Sequence, residues 1–294
     1  TVLDVVEAGP LAADRLATDS TGRITARFAT SCYADFDGRL LCLGGPGLPL
    51  GPINIRIAGL PAGLTVGDAV TIETGGLEIW QPPYIGSWSR RSREAGLRTL
   101  RDIVSTIPAD TGLTGLVFGR GMPSGLPAFA ERAQAAIGDL RLWLEAPDDG
   151  ADELERGTCA LLGLGPGLTP SGDDFLVGML VALSEMSGME DCALQAGLSE
   201  NVRRLAPIRT SQISTAHLLA ACDGLASDAL HRAVQTILCN TPALADDLTA
   251  LAAIGHSSGW DALAGAVIVL DTFHLSGSPS VCYVPTKTKG MGVL

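Results

Sequence analysis

The chain has 294 residues, 46% of them hydrophobic and 18% charged, with a net charge of −12. Such a chain can bury a substantial core, which excludes a disordered protein. The acidic balance, without a visible basic stripe, argues against nucleic acid as a partner but leaves room for a small anionic metabolite, which needs only a few local donors. The seven cysteines, Cys32, Cys42, Cys159, Cys192, Cys222, Cys239 and Cys282, are scattered and form no C-x-x-C pair. They read as free, mostly buried thiols and fit a reducing, cytoplasmic setting. Thr1 to Gly9 lacks the features of a signal peptide, and the longest apolar run, Ala262 to Leu270, is too short to span a bilayer, so no membrane partner is expected.

In chain order, the first third reads as β-structure. Arg23 to Phe36 is rich in β-branched and aromatic residues, and Phe36-Asp37-Gly38-Arg39 carries a hairpin signal. Ile53 to Ile57 alternates cleanly. Ala69 to Trp80 reads as strand, Gly-Gly turn and strand. Gly44 to Pro52 is a loop, read as a rigid connector. Short strands at this spacing predict a small barrel or sandwich-like domain over residues 1–81.

After Gln81 the period lengthens, and residues 82–294 are expected to be mainly helical, so that the whole is α+β. Arg91 to Ile107 places Leu97, Leu100, Val104 and Ile107 at helical spacing. The arginines between Arg90 and Arg101 read as a solvated helix face, with an anion site as the alternative. Ala128 to Leu144 is a second helix, and from Asp152 onward Ala- and Leu-rich segments alternate with short breaks. The segment after Gly277 reads either as a returning strand or as a mobile tail.

The densest loop chemistry is GLGPGLTPSGDDFLVG, Gly163 to Gly178. Its last eight residues echo SGWDALAG, Ser258 to Gly265: both read S-G-x-D-x-L-x-G. Ser171 and Ser258 are expected as N-caps, with Asp174 and Asp261 as the reciprocal acids of capping boxes. The alternative makes Thr169 the cap and Pro170 the first helical residue. Either motif alone could be no more than a helix start. Glycine in a first turn is unfavourable by about 1 kcal/mol relative to alanine, so Gly172 and Gly259 suggest that something approaches the backbone, and helix N-termini attract anions. A P-loop is excluded because no lysine lies in the stretch, and a dinucleotide fingerprint would need glycine at Leu168.

A second group is Ile208 to His217. On a continuous helix Thr210, Ser214 and His217 share one face, preceded by Arg209. Core hydrogen bonding to carbonyls would explain the same residues. His256, beside the second motif, either caps the preceding helix or faces the ligand. His231 and His274 are expected to be structural or exposed. Asp173, Asp174 and His256 lack the spacing of a metal site, so no metal is expected.

These three segments, GLGPGLTPSGDDFLVG, RTSQISTAHL and IGHSSGWDALAG, resemble the bacterial AllH-type subunit family of oxamate carbamoyltransferase. The resemblance covers about Gly157 to Leu270. It implies a role in purine and allantoin nitrogen breakdown, in which oxalurate and phosphate give oxamate and carbamoyl phosphate together with partner subunits, and without metal or cofactor. The residues themselves nominate Asp173, His217 and His256 for catalysis. They nominate Gly165, Gly167, Thr169, Ser171, Gly172, Asp174, Arg209, Thr210, Ser214, Ser257, Ser258, Gly259 and Asp261 for binding. Two further readings stand beside it: a non-catalytic metabolite-binding or assembly subunit, and an amide hydrolase with a water activated at Asp173 or Asp174. The two S-G-x-D starts are expected to open onto one cleft, with Thr210 to His217 as another wall and Asp173 free to orient a ligand.

Overall fold

The computed structural model describes residues 1–84, 86–105, 112–118, 129–186 and 192–272. Ile107, Ala128, His274, Cys282, the Cys192 side chain and the segment after Gly277 lie outside this description.

The N-terminal region is a barrel. Strands β1 (Val2–Ala8), β2 (Thr21–Arg27), β3 (Ser31–Phe36), β4 (Arg39–Gly44), β5 (Asn54–Ile57), β6 (Ala69–Glu73) and β7 (Glu78–Ile79) run in the order β5-β4-β3-β2-β6-β1-β7. An added antiparallel pairing of β1 with β5, Val5 opposite Ile57, closes six of them, and β7 extends β1 outside the ring. Alternation sets the inner face: Leu3 and Val5 are buried, whereas Val2 and Val6 are exposed. Asp37 and Gly38 both take positive φ, 51° and 81°, as the expected two-residue hairpin requires. The Gly75-Gly76 turn leads instead between β6 and β7, which flank β1 on opposite sides. A short helix, α1 (Pro10–Leu16), adds Ala12 and Leu16 to the barrel core.

The rest is helical: α2 (Arg90–Val104), α3 (Thr114–Val117), α4 (Ala130–Glu145), α5 (Ala151–Leu161), α6 (Ser171–Met186), α7 (Cys192–Arg209), α8 (Gln212–Cys222), α9 (Asp228–Cys239), α10 (Leu244–Ala252) and α11 (Ser258–Thr272). None of the described helices is long and apolar enough to cross a membrane. Helix α2 buries Leu97, Leu100 and Val104, as its spacing requires. At the centre, α6 and α11 are apolar on nearly every side and pack on each other, the arrangement expected of helices enclosed by others. The contact is reciprocal. A Cβ at Gly178 would overlap the carbonyl oxygen of Ala262, and one at Gly265 would overlap that of Phe175. Each motif therefore ends on the glycine that lets the other helix approach.

Helix α8 joins the two regions. Its Ala216 and Ala220 pack into the barrel core. Nearby, the Trp80 indole donates to Asp228 Oδ1 at 3.1 Å, and the Asp228 amide donates to the Leu50 carbonyl at 3.0 Å. Cys32, Cys42 and Cys222 are buried thiols, and Cys159 and Cys239 are partly covered.

Replacing Gly178 or Gly265 by alanine forces backbone apart at the central crossing. Either change is expected to lower the melting temperature by roughly 6–12 °C, or to leave the chain insoluble, for a cost of about 3 kcal/mol. An unchanged thermal melt of a soluble Gly265→Ala protein would contradict the packing described.

Candidate functional site

The glycine-rich segment is a tightly wound connection between α5 and α6. Gly163, Gly165 and Gly167 have φ of 73°, 119° and 97°, conformations that L side chains rarely adopt. At Gly165 a side chain would also press on the Ser171 amide, 2.9 Å away. The Pro170 carbonyl accepts the Asp174 amide at 3.1 Å, and the Ser257 carbonyl accepts the Asp261 amide at 2.8 Å. A cap is the residue whose carbonyl takes the first helical bond. Pro170 and Ser257 therefore hold the cap positions, and Ser171 and Ser258 are the first helical residues. This corrects both the expectation of Ser171 and Ser258 as caps and the alternative with Thr169 as cap.

The two helix starts meet. Thr169 Oγ1 and Ser258 Oγ are 3.0 Å apart. The expected capping boxes are replaced by an exchange between helices: Ser258 and Thr169 lie against Asp174 of α6, while Ser171 and Ser257 lie against Asp261 of α11. Asp261 Oδ1 also accepts the Leu113 amide at 2.5 Å, just before α3. The second oxygens of Asp174 and Asp261 are buried and have no hydrogen-bond partner. Burial pushes the Asp261 carboxyl up to about 6 against the pull of these donors. It pushes Asp174 well above its ordinary value of 3.8, helped by the neighbouring charges of Asp261 and Asp173. Desolvation and like charge both disfavour ionisation.

Gly172 and Gly259 do not bare the first turns for a ligand. The carbonyls of Leu161 and Leu251 occupy the space where their side chains would stand, and their own amides donate to Leu164 and Ile254 at 2.9 and 3.2 Å. The glycines seat each helix start on the helix before it, so these donors are spent internally.

Asp173 is not free either. It is 1% exposed; Oδ1 accepts the Gly163 amide at 2.8 Å, and Oδ2 accepts the hydroxyls of Ser214, at 2.6 Å, and Thr210. The polar stripe thus converges on Asp173, although Thr210 precedes α8, whose cap is Ser211. Three of the roughly four acceptor positions of this carboxylate are thus taken by the protein. His217 parts from the stripe: its Nε2 lies 3.1 Å from the Tyr33 hydroxyl in the barrel, and burial lowers its pKa to about 4. It is therefore neutral near pH 7 and carries no charge for an anion. Arg209 is exposed at the end of α7, and His256 is exposed in the turn before α11. Gly167 is exposed at the loop tip and Gly165 partly covered. Leu168 and Ile208 add an apolar edge beside the loop, exposed by 48% and 76%. Among the described residues no group of three or more His, Cys, Asp or Glu could hold a metal ion.

Neither Tyr33 nor the Leu113 amide was among the residues the sequence nominated, and Gly163 entered only as the first residue of the glycine-rich stretch. Tyr33 carries no local signal, and backbone donors such as those of Gly163 and Leu113 leave none in a side-chain pattern.

Residues 161–270 match the family model described as oxamate carbamoyltransferase subunit AllH. The matched span takes in the whole α6–α11 crossing, both helix starts and the Asp173 cluster. Over this span the chain is similar to the AllH-type family. No solved structure matches it.

Because Asp261 has a raised pKa, the folded chain keeps a proton that the unfolded chain has released. Its contribution to stability therefore falls as pH rises from 3.8 to about 6. Asp261→Asn keeps the acceptor for Leu113 and removes that loss. The variant is expected to melt roughly 5 °C higher at pH 7 and to show a shallower fall in melting temperature across this window. An identical pH profile would show that Asp261 ionises freely.

Proposed function

We propose that the chain is a subunit of an oxamate carbamoyltransferase-like enzyme that handles a small anionic ureide or amide with phosphate or carbamoyl phosphate. The observation that carries this reading is the meeting of the two motifs at Thr169 and Ser258, inside the span matched by the AllH family. The barrel, residues 1–81, is taken as one unit and residues 82–294 as the unit that carries the site.

In carbamoyl transfer from oxalurate, a phosphate oxygen bonds to the carbamoyl carbon. The bond from that carbon to the oxamate nitrogen breaks, and the leaving nitrogen gains a proton. Asp174 suits the last step, because burial keeps its proton on and its Oδ2 has no partner within the protein. Thr169 and Ser258 supply hydroxyls beside it, and Arg209 and His256, both exposed, supply donors for the carboxylate or phosphate. Asp173 acts at one remove by tying Gly163, Thr210 and Ser214 together, and His217 by holding α8 to the barrel through Tyr33. No metal or cofactor is invoked.

The exposed pair Leu168 and Ile208 favours a second reading, in which the chain binds metabolite and docks a partner subunit that performs the chemistry. Co-purification with the other subunits of such an enzyme, followed by assay of phosphate-dependent oxalurate cleavage, separates the two. Asp174→Asn is expected to assemble normally and to lose at least about 100-fold in kcat. Full activity in the assembled variant would remove Asp174 from catalysis and favour the docking reading.

A further inference from the structure

A large cavity lies on the joint between the barrel and the helices. Its volume is 680 Å³, inside the roughly 300–1,000 Å³ of small-molecule sites, which gather at such joints. The β3–β4 hairpin forms one wall, with Asp35, Arg39 and Leu40. Helix α8 forms the facing wall, with Gln212, Thr215 and Leu219. The floor between them is apolar and buried, made of Leu41, Ile53 and Ala220.

Four charged side chains line the cavity, and three of them are committed. Arg203 and Asp223 pair at 2.5 Å, and Asp35 Oδ1 accepts the Gly38 amide at 2.7 Å, which holds the hairpin turn. The fourth is Arg39. Among the described residues, none pairs with its exposed guanidinium, and none bonds the exposed carboxamide of Gln212. Each wall thus offers one polar group with its bonding capacity unspent. One is a planar fork that matches a carboxylate, and the other both donates and accepts. Two acids against two arginines leave the lining without net charge, which disfavours a dianion, and the floor favours hydrocarbon. We propose that this cavity binds a small organic monocarboxylate with an apolar body. Arg39 takes the carboxylate, Gln212 supplies a second polar contact, and the body covers the floor between Leu40 and Leu219. Such a ligand clasps the barrel to α8, the helix whose Ser214 bonds Asp173 at 2.6 Å and whose His217 lies 3.1 Å from the Tyr33 hydroxyl. Neither Thr169 nor Ser258 lines the cavity, so it is separate from the helix-start junction, and binding there does not require the proposed reaction.

Calorimetric titration of the full chain with butanoate, hexanoate and octanoate tests the site. Saturable binding is expected, about fourfold tighter for each CH₂ group buried. Arg39→Gln should weaken hexanoate about tenfold and leave the thermal melt unchanged. Gln212→Glu places an acid in the first turn of α8, where it suits the helix, so it should weaken hexanoate without lowering the melt. The paired change Thr169→Val with Ser258→Ala, which disables the junction, should leave hexanoate binding intact. Absence of saturable hexanoate binding below about 10 mM, or binding indifferent to Arg39→Gln, would overturn the proposal. So would an affinity independent of chain length, since the carboxylate would then rest on a surface arginine alone. Hexanoate binding that disappears only with the Thr169 and Ser258 changes would place the ligand at the junction, and the proposal fails. If Arg39→Gln instead abolishes association with a partner subunit while hexanoate binding is untouched, the cavity wall is a protein interface and the proposal also fails.

Discussion

The close crossing of α6 and α11 is the constraint on which the rest depends. Two glycines, each against the other helix's carbonyl, bring the axes together without side chains between them. Helices that approach so closely cannot leave their first turns independent. The same crossing carries Asp174 to Ser258 and Asp261 to Ser171, away from the caps that the local pattern offers them. Packing energy in the middle of the helices thus fixes polar chemistry at their ends.

That chemistry is unfavourable for folding taken alone. Two carboxyls, each with one oxygen lacking a partner, are buried close enough to repel. A protein that needed only stability could fill this junction with apolar side chains at lower cost. Buried acids with raised pKa values are where proton-transfer function concentrates. Asp173, adjacent in sequence, shows the contrast: with three donors it is satisfied and serves to bind the loop to α8. One residue of displacement along the helix separates the carboxylate whose two oxygens are both bonded from the one with an oxygen left unpartnered.

Much of this was legible in the sequence, and the failures have physical causes. The Asp37-Gly38 hairpin, the α2 spacing and the repeated S-G-x-D-x-L-x-G all carry local signals, and the repeat marks two helix starts that the structure brings together. Closure of the barrel was hidden because it rests on β1, whose pairings with β5, β6 and β7 are all non-local. The exchange of serines and aspartates was hidden because S-x-x-D reads the same whether the acid meets its own cap or a neighbour's. Gly172 and Gly259 were read as openings for a ligand, since sequence shows a missing side chain but not the carbonyl that takes its place. The convergence of Thr210 and Ser214 survived even though Thr210 lies outside the helix, because α7 and the cap at Ser211 hold it on the same side.

The central claim is that the crossing holds a protonated carboxyl at the meeting point of the two motifs. Infrared difference spectroscopy with labelled aspartate tests it directly, since the carbonyl stretch of a protonated carboxyl is distinct from that of a carboxylate. The account predicts such a band in the native chain at pH 7, absent in Asp174→Asn and retained in Asp173→Asn. A native spectrum with every aspartate ionised at pH 7 would contradict it.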